Sequence, residues 1–218
     1  MRQLLLLRPE PGLSESADRA RQLGLEVISC PLFLVEPIEW QASDPADYDA
    51  LLLTSANAVR HGGPQLKLLR PLPVHAVGGA TAESAREAGF AVASAGEGNV
   101  VDMLAGLPRN VRLLHLAGED HRQAGEQIER RIVYRSAEIE NPRLPPLAEL
   151  VAAVHSPRAA RRLAQLADHR DRTALAAISS AAAQAAGDGW ERIEVADHPN
   201  DSSLLALAAM LCHTSPSQ

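Results

Sequence analysis

Short, wholly apolar runs alternate with longer amphipathic stretches along the chain. That pattern predicts an α/β architecture of parallel strands buried on both faces, with helices between them. Leu4–Leu7 reads as the first buried strand, and Ser14 can cap a helix running to about Leu23, where Gly24 stops it. Glu26–Leu34 reads as strand, broken by Pro31, and Pro37 to Asp47 as a polar crossing. Asp49–Leu53 is the next strand, ending at Thr54-Ser55 before a helix. Val74–Val77 follows, then Gly78-Gly79-Ala80-Thr81, a helix from Ala82 to Ala88, a stop at Gly89 and a short strand over Phe90–Ala93. Asn99–Leu107 reads as helix, Val111–Leu116 as strand, and the stretch after Ala117-Gly118-Glu119 as a helix into Arg131. Ile132–Ile139 is strand, and Asn141-Pro142 with Pro145-Pro146 marks a second crossing.

The pattern then restarts. Val151–Val154 is strand, and Ser156-Pro157 opens a helix with a cap serine and a first-turn proline. Leu175–Ile178 is strand, Ser179-Ser180 precedes an alanine-rich helix ending near Gly187, and Ile193–Val195 is strand. His198-Pro199-Asn200-Asp201 leads into a last helix, Ser202–Leu211, and Thr214–Gln218 reads as a disordered tail. ALLLTSANAVR at 50–60 aligns with VAAVHSPRAAR at 151–161, an offset of 101 residues. The same offset carries Val77-Gly78-Gly79-Ala80 onto Ile178-Ser179-Ser180-Ala181, and Leu104 onto Leu205. One offset held through successive turns predicts a structural duplication. The second copy lacks a leading β–α–β unit, which the first 33 residues can supply. The expected organisation is one discontinuous domain (1–33 plus 140–218), an inserted domain (39–132), and linker strands at 34–38 and 133–139. Two crossings make a hinge, and a hinge between two α/β domains makes a cleft.

Composition narrows the function. The 218 residues carry 21 Lys+Arg against 27 Asp+Glu, a net charge of −6, which argues against binding driven by nucleic-acid phosphates. Two cysteines, Cys30 and Cys212, are too few for a disulfide framework and read as small apolar core residues. Six aromatic residues leave little for a site built on ring stacking. Lys67 is the single lysine; the arginine excess fits both a GC-rich genome and recognition of carboxylates or phosphates. The apolar run at Leu4–Leu7 is too short for a secretory core or a membrane span, so a cytoplasmic protein without membrane contact is expected. Nothing in the chain points to an obligate interface, so a monomer is expected.

In parallel sheets, ligands bind outside the carboxyl ends of the strands. The turns there are Arg8–Ser14, Thr54-Ser55, Gly78–Thr81, Gly118–His121, His155-Ser156, Ser179-Ser180 and His198–Asn200. Each places small or hydroxylated residues at or near a helix start, where backbone N–H groups favour anions. Such serines and threonines can equally serve only as caps. Taken together, the turns suggest a ligand bearing several negative charges. Gly96-Glu97-Gly98 lacks the third glycine of a dinucleotide fingerprint, and no Walker sequence is present. His155-Ser156 lacks the G-x-S-x-G elbow. His115, Asp120 and His121 lack zinc-like spacing, and a solvated or satisfied histidine explains them better. Tyr134 lies on the returning crossing, and its phenol faces the cleft if Val133 packs inward. A core role, with the hydroxyl on a backbone partner, is the alternative.

The ordered set Leu7-Arg8-Pro9, Leu53-Thr54-Ser55-Ala56-Asn57-Ala58-Val59, Val77-Gly78-Gly79-Ala80-Thr81-Ala82, Val133-Tyr134-Arg135, His155-Ser156-Pro157-Arg158-Ala159 and Ile178-Ser179-Ser180 resembles the uroporphyrinogen-III synthase family. No single piece is specific; the ordered combination, with a tyrosine on the return crossing, is. The resemblance implies two flavodoxin-like domains joined by a two-stranded linker. It implies conversion of hydroxymethylbilane, a linear tetrapyrrole with eight carboxylates, into uroporphyrinogen III with loss of water and inversion of ring D. It implies no metal and no organic cofactor, and admits transient contact with the preceding enzyme of the pathway.

The resemblance makes Tyr134 the residue that assists loss of the hydroxyl, since a phenol can donate or polarise without being a strong acid at neutral pH. The substrate-binding set is Arg8, Thr54, Ser55, Gly78, Gly79, Thr81, Gly118, Ser156, Ser179 and Ser180. Relatives often carry threonine at the Ser180 position, and the hydroxyl is retained here. Readings from other classes are a non-catalytic two-domain receptor for a polyanionic small molecule, and a nucleotide-dependent transferase, for which no motif is present.

Overall fold

The computed structural model describes residues 1–96, 100–108, 110–120 and 128–214. In chain order the elements are β1 (Leu4–Leu6), α1 (Gly12–Gln22), β2 (Val27–Ser29), β3 (Phe33–Pro37), β4 (Ala50–Leu53), α2 (Ala56–His61), β5 (Val74–Val77), α3 (Gly79–Glu87) and β6 (Val92–Gly96). They continue with α4 (Val100–Ala105), β7 (Leu113–Gly118), β8 (Ile128–Glu138), β9 (Val151–Val154), α5 (Pro157–Leu166), β10 (Ala174–Ala177), α6 (Ser180–Ala186), β11 (Arg192–Val195) and α7 (Asp201–His213). The chain forms two compact units, one of residues 1–34 and 138–218, the other of residues 35–137.

The first unit holds a five-stranded sheet in the order β11-β10-β9-β1-β2, every neighbouring pair parallel. Numbered along the chain within this unit, that is the 2-1-3-4-5 order of flavodoxin-like folds. The three central strands, β10, β9 and β1, are apolar throughout because helices cover both faces, while the edge strands β11 and β2 carry Arg192, Glu194 and Ser29. Alternate residues face opposite ways: Leu5, Ala152 and Leu175 join one core with α5 and α6, while Leu4, Leu6, Val151 and Ala153 join another with α1 and α7. Each fully buried leucine contributes about 2 kcal/mol of burial. At the amino edge, the Arg2 guanidinium makes two hydrogen bonds to Glu191, at 3.0 and 2.7 Å, and donates to the carbonyls of Glu149, Leu150 and Arg172.

The second unit holds β8-β7-β4-β5-β6, again parallel, with β3 added beside β8. Ile38 N–H donates to Val133 C=O at 3.0 Å, and Arg135 bonds Glu36 at 2.6 Å. Partner numbers on β3 rise as those on β8 fall, so this added pair is antiparallel. Leu51, Leu53, Val74, Ala76, Leu114 and Leu116 form the core under α2 and α3. Ala50, Leu52, Leu113 and Ile128 form a smaller one on the other face, with Met103 and Leu104 of α4 against it.

The offset of 101 residues relates the strands of the two units directly. It carries β4 onto β9, residue for residue, and the cap Ser55 of α2 onto the cap Ser156 of α5. The order β6-β5-β4-β7-β8 then matches β11-β10-β9-β1-β2.

Several elements differ from expectation. Ser14 lies inside α1, which begins at Gly12; its N–H and hydroxyl both donate to Glu10, at 3.0 and 2.8 Å. α3 starts at Gly79, three residues early, because Gly78 takes a φ of 90° that its lack of a Cβ permits. β6 lies two residues later than Phe90, whose ring belongs to the core. Residues 128–131 are strand. Glu129 and Arg131 have strong helix propensity, yet they pair at 2.7 Å on one face of β8, as i, i+2 neighbours do only in a strand. The other residues expected in that helix after Asp120, His121 among them, lie outside the described residues, as do Glu97, Gly98, Asn99 and the tail beyond Thr214. Cys30 and Cys212 are buried and unbonded, and burial raises both thiols, that of Cys212 to about 11. No helix of the described residues is long and apolar enough to cross a membrane.

Candidate functional site

In the second unit, Gly118, Thr54 and Gly78 lie at or just beyond the carboxyl ends of β7, β4 and β5, and Tyr134, within the adjacent β8, stands opposite Gly118 at the last pair of β7 with β8. The pairing of β7 with β8 shifts near its end: Ala117 opposes Ile132, but Gly118 opposes Tyr134. One extra residue on β8 makes a bulge, a device that re-aims a side chain. Val133 stays fully buried, and Tyr134 is half-buried. The phenol lies over Gly118, where a Cβ would stand 2.7 Å from the ring carbons Cε2 and Cζ. Gly118 is therefore required as a bare platform for that ring.

The ring is packed while its hydroxyl is not engaged. Among the described residues, the Tyr134 hydroxyl makes no hydrogen bond, and it is absent from the buried polar atoms left unpaired. A fully buried core tyrosine usually places its hydroxyl on a backbone group.

Thr54 Oγ1 and His115 Nε2 share a hydrogen bond of 3.0 Å, and His115 is only 1% exposed. Ser55 caps α2, its hydroxyl oxygen accepting the Asn57 N–H at 3.2 Å. Gly78 caps α3 by conformation, and at both Gly78 and Gly79 a Cβ would meet nothing within 4 Å among the described residues. Backbone there is open to an approaching group. Thr81, in the first turn of α3, is 5% exposed. Among the described residues, no three potential metal-ligating side chains come together.

The carboxyl edge of the first unit has another character. Ser156 and Ser179 cap α5 and α6, accepting from Ala159 N–H at 3.1 Å and Ala182 N–H at 3.3 Å. Ser180 is the exposed first residue of α6. Arg8 donates to Ser16 Oγ at 3.0 Å and to Asp201 Oδ1 at 3.1 Å. Asp201 Oδ1 also receives Ser16 Oγ at 2.6 Å and faces His155 Nε2 at 2.8 Å, while Arg19 Nε stands 3.0 Å from Oδ2. Burial pushes the Asp201 carboxyl upward. Hydrogen bonds from His155 and Ser16 and the charges of His155 and Arg19 outweigh it, holding the group well below the usual carboxylate range.

Sequence reasoning missed Asp201 and its partners Ser16 and Arg19 as a cluster, and it missed His61 near Tyr134. The 101-residue offset, which sets His155 on Thr54, was the one available signal for the former.

Two parallel sheets of this strand order, with glycine and capping serine at their carboxyl edges, define an α/β protein of flavodoxin-like type. The family described as uroporphyrinogen-III synthase HemD matches residues 14–206. Uroporphyrinogen-III synthetase from Helicobacter pylori has a similar structure, with a TM-score of 0.70 and 19% identity, over 97% of this chain and 100% of that one. A mutant uroporphyrinogen III synthase from Thermus thermophilus gives a TM-score of 0.51 at 16% identity, over 96% of this chain and 99% of that one. No curated protein sequence matches. The family match spans most of the chain: it belongs to the uroporphyrinogen-III synthase family, enzymes of tetrapyrrole biosynthesis.

Proposed function

We propose that this chain cyclises hydroxymethylbilane to uroporphyrinogen III, and that Tyr134 assists departure of the hydroxyl. The observation that carries this reading is the packed Tyr134 ring whose hydroxyl has no partner among the described residues. The phenol O–H donates toward the leaving oxygen of the hydroxymethyl group, the C–O bond breaks, and water departs. The azafulvene left behind is attacked by the substituted carbon of ring D. The resulting spiro intermediate fragments and recloses with ring D turned over, and loss of the ring proton restores the pyrrole. Unaided closure gives the unturned isomer, so the protein acts mainly by holding the chain in the conformation that favours the spiro route.

Substrate carboxylates are received by backbone N–H groups and hydroxyls. In the second unit these are Thr54, Ser55, and the backbone at Gly78, Gly79 and Thr81. In the first they are Ser156, Ser179, Ser180 and Arg8. A cap serine accepts through its oxygen and still has its own proton to donate. Gly118 serves through the ring it supports. Neither metal nor organic cofactor enters these steps.

The test is incubation with hydroxymethylbilane followed by separation of the product isomers. The type III isomer is expected in excess of the spontaneous background. Type I alone overturns the proposal, and tight product binding without turnover points to a receptor.

A further inference from the structure

His61, the last residue of α2, lies beside Tyr134. The two ring centroids are 6.3 Å apart and the planes are inclined by 38°. That separation lies within the range of tilted ring pairs. His61 is half-buried. Burial lowers its pKa, and the neighbouring Arg60 charge lowers it further, so the ring is neutral at neutral pH.

The backbone that carries His61 is itself pinned. Trp40 Nε1 donates to the Gly62 carbonyl at 2.8 Å. A Cβ at Gly62 would stand 2.6 Å from the Ala58 carbonyl and 2.8 Å from the Leu66 side chain, so the end of α2 is closely packed. The phenol thus has Gly118 on one side, His61 on another, and the fully buried Val133 before it in the chain.

We propose that His61 is a positioning residue for Tyr134, its ring holding the phenol against Gly118 so that the hydroxyl projects in one direction. This rests on the reading above that Tyr134 assists loss of the substrate hydroxyl. Hydrogen-bond catalysis is sensitive to placement at the scale of an ångström, so freeing one side of the ring should act on turnover rather than on binding.

The chain has two tyrosines, Tyr48 and Tyr134. Labelling their ring Cζ with 13C therefore gives two NMR signals, and Tyr134→Phe assigns them. His61→Ala is expected to shift or broaden the Tyr134 signal while Tyr48 stays in place, and to lower kcat roughly 10- to 100-fold with KM little changed. His61→Phe, which keeps a ring at the position, should restore both. An unmoved Tyr134 signal in His61→Ala overturns the proposal, as does equal displacement of both tyrosine signals or failure of His61→Phe to restore them. If Tyr134→Phe is fully active while His61→Ala still moves only the Tyr134 signal, the catalytic reading of Tyr134 fails and the positioning contact stands.

Discussion

The two units share one strand order but differ in what they place at its carboxyl edge. In the second unit that edge carries the Thr54–His115 bond, the backbone of Gly78 and Gly79, and the Tyr134 ring over Gly118. In the first, the position matching Thr54 is His155 and the one matching Val100 is Asp201. These two, with Arg8, Arg19 and Ser16, form a cluster in which one carboxylate serves two arginines and a histidine. A repeat therefore reproduces backbone geometry without reproducing chemistry. One edge holds a carboxylate among its cations, whereas the other sets a threonine–histidine bond beside a tyrosine ring.

The contrast breaks most directly at Tyr134. Tyr134→Phe keeps the packing over Gly118 and removes the one group assigned to the reacting bond. Turnover of hydroxymethylbilane should fall roughly 10²- to 10⁴-fold, the span of a lost general acid. Product affinity, measured by quenching of Trp40, should change far less. Full activity in this variant would leave the second unit with no catalytic distinction from the first.

Removing Asp201 probes the other side. Asp201→Ala leaves Arg8, Arg19 and His155 facing one another, and stability should fall by about 2–3 kcal/mol in urea unfolding at pH 7, less than for a fully enclosed pair. The pH dependence has a definite sign. The folded-state pKa lies below the unfolded value, so the carboxylate's contribution is complete above about pH 4 and is lost as pH falls through the depressed folded value. The gap between wild type and Asp201→Asn should therefore narrow in acid. A gap that stays constant down to about pH 2 would mean that the cluster's charge contributes nothing.

Gly118→Ala sharpens the role of the ring's platform. The new Cβ would fall 2.7 Å from two ring carbons, so the phenol must shift. Turnover should drop by about 10-fold or more with the fold retained. Gly79→Ala is the control for size alone, because among the described residues nothing lies within 4 Å of the added Cβ and the φ is ordinary. It should not lower stability, so a raised KM there would report a ligand group close to the backbone.

What could be read from residues alone follows physical lines. Val74–Val77 and Val151–Val154 were placed to the residue because a strand buried on both faces must be wholly apolar. Ser55, Ser156 and Ser179 declared themselves as caps by standing between such a run and a helix. β8 was mistaken at its start because Glu129-Arg130-Arg131 has helical propensity, and only its neighbours in the sheet override that. The Asp201 cluster joins residues up to 193 positions apart, so no local pattern announces it. Tyr134 was singled out by its place in an ordered family pattern. The bulge that sets it over Gly118 depends on the pairing of two strands and leaves no mark in either one.

The smallest effects separate capping from recognition in both units at once. Ser55 and Ser156 are equivalent under the repeat, and each accepts an N–H of the helix it begins. Loss of either cap in Ser55→Ala or Ser156→Ala should cost about 1 kcal/mol of stability, seen as a small drop in Tm. If capping is the whole role, KM for hydroxymethylbilane stays at the wild-type value in both variants. If the hydroxyl proton also donates to a substrate carboxylate, KM rises a further several-fold, the worth of one hydrogen bond to a charged partner. A rise in Ser55→Ala without one in Ser156→Ala would extend the difference between the units from the reacting group to the binding of substrate. Equal rises would show that the two edges differ in chemistry but share the work of holding the bilane.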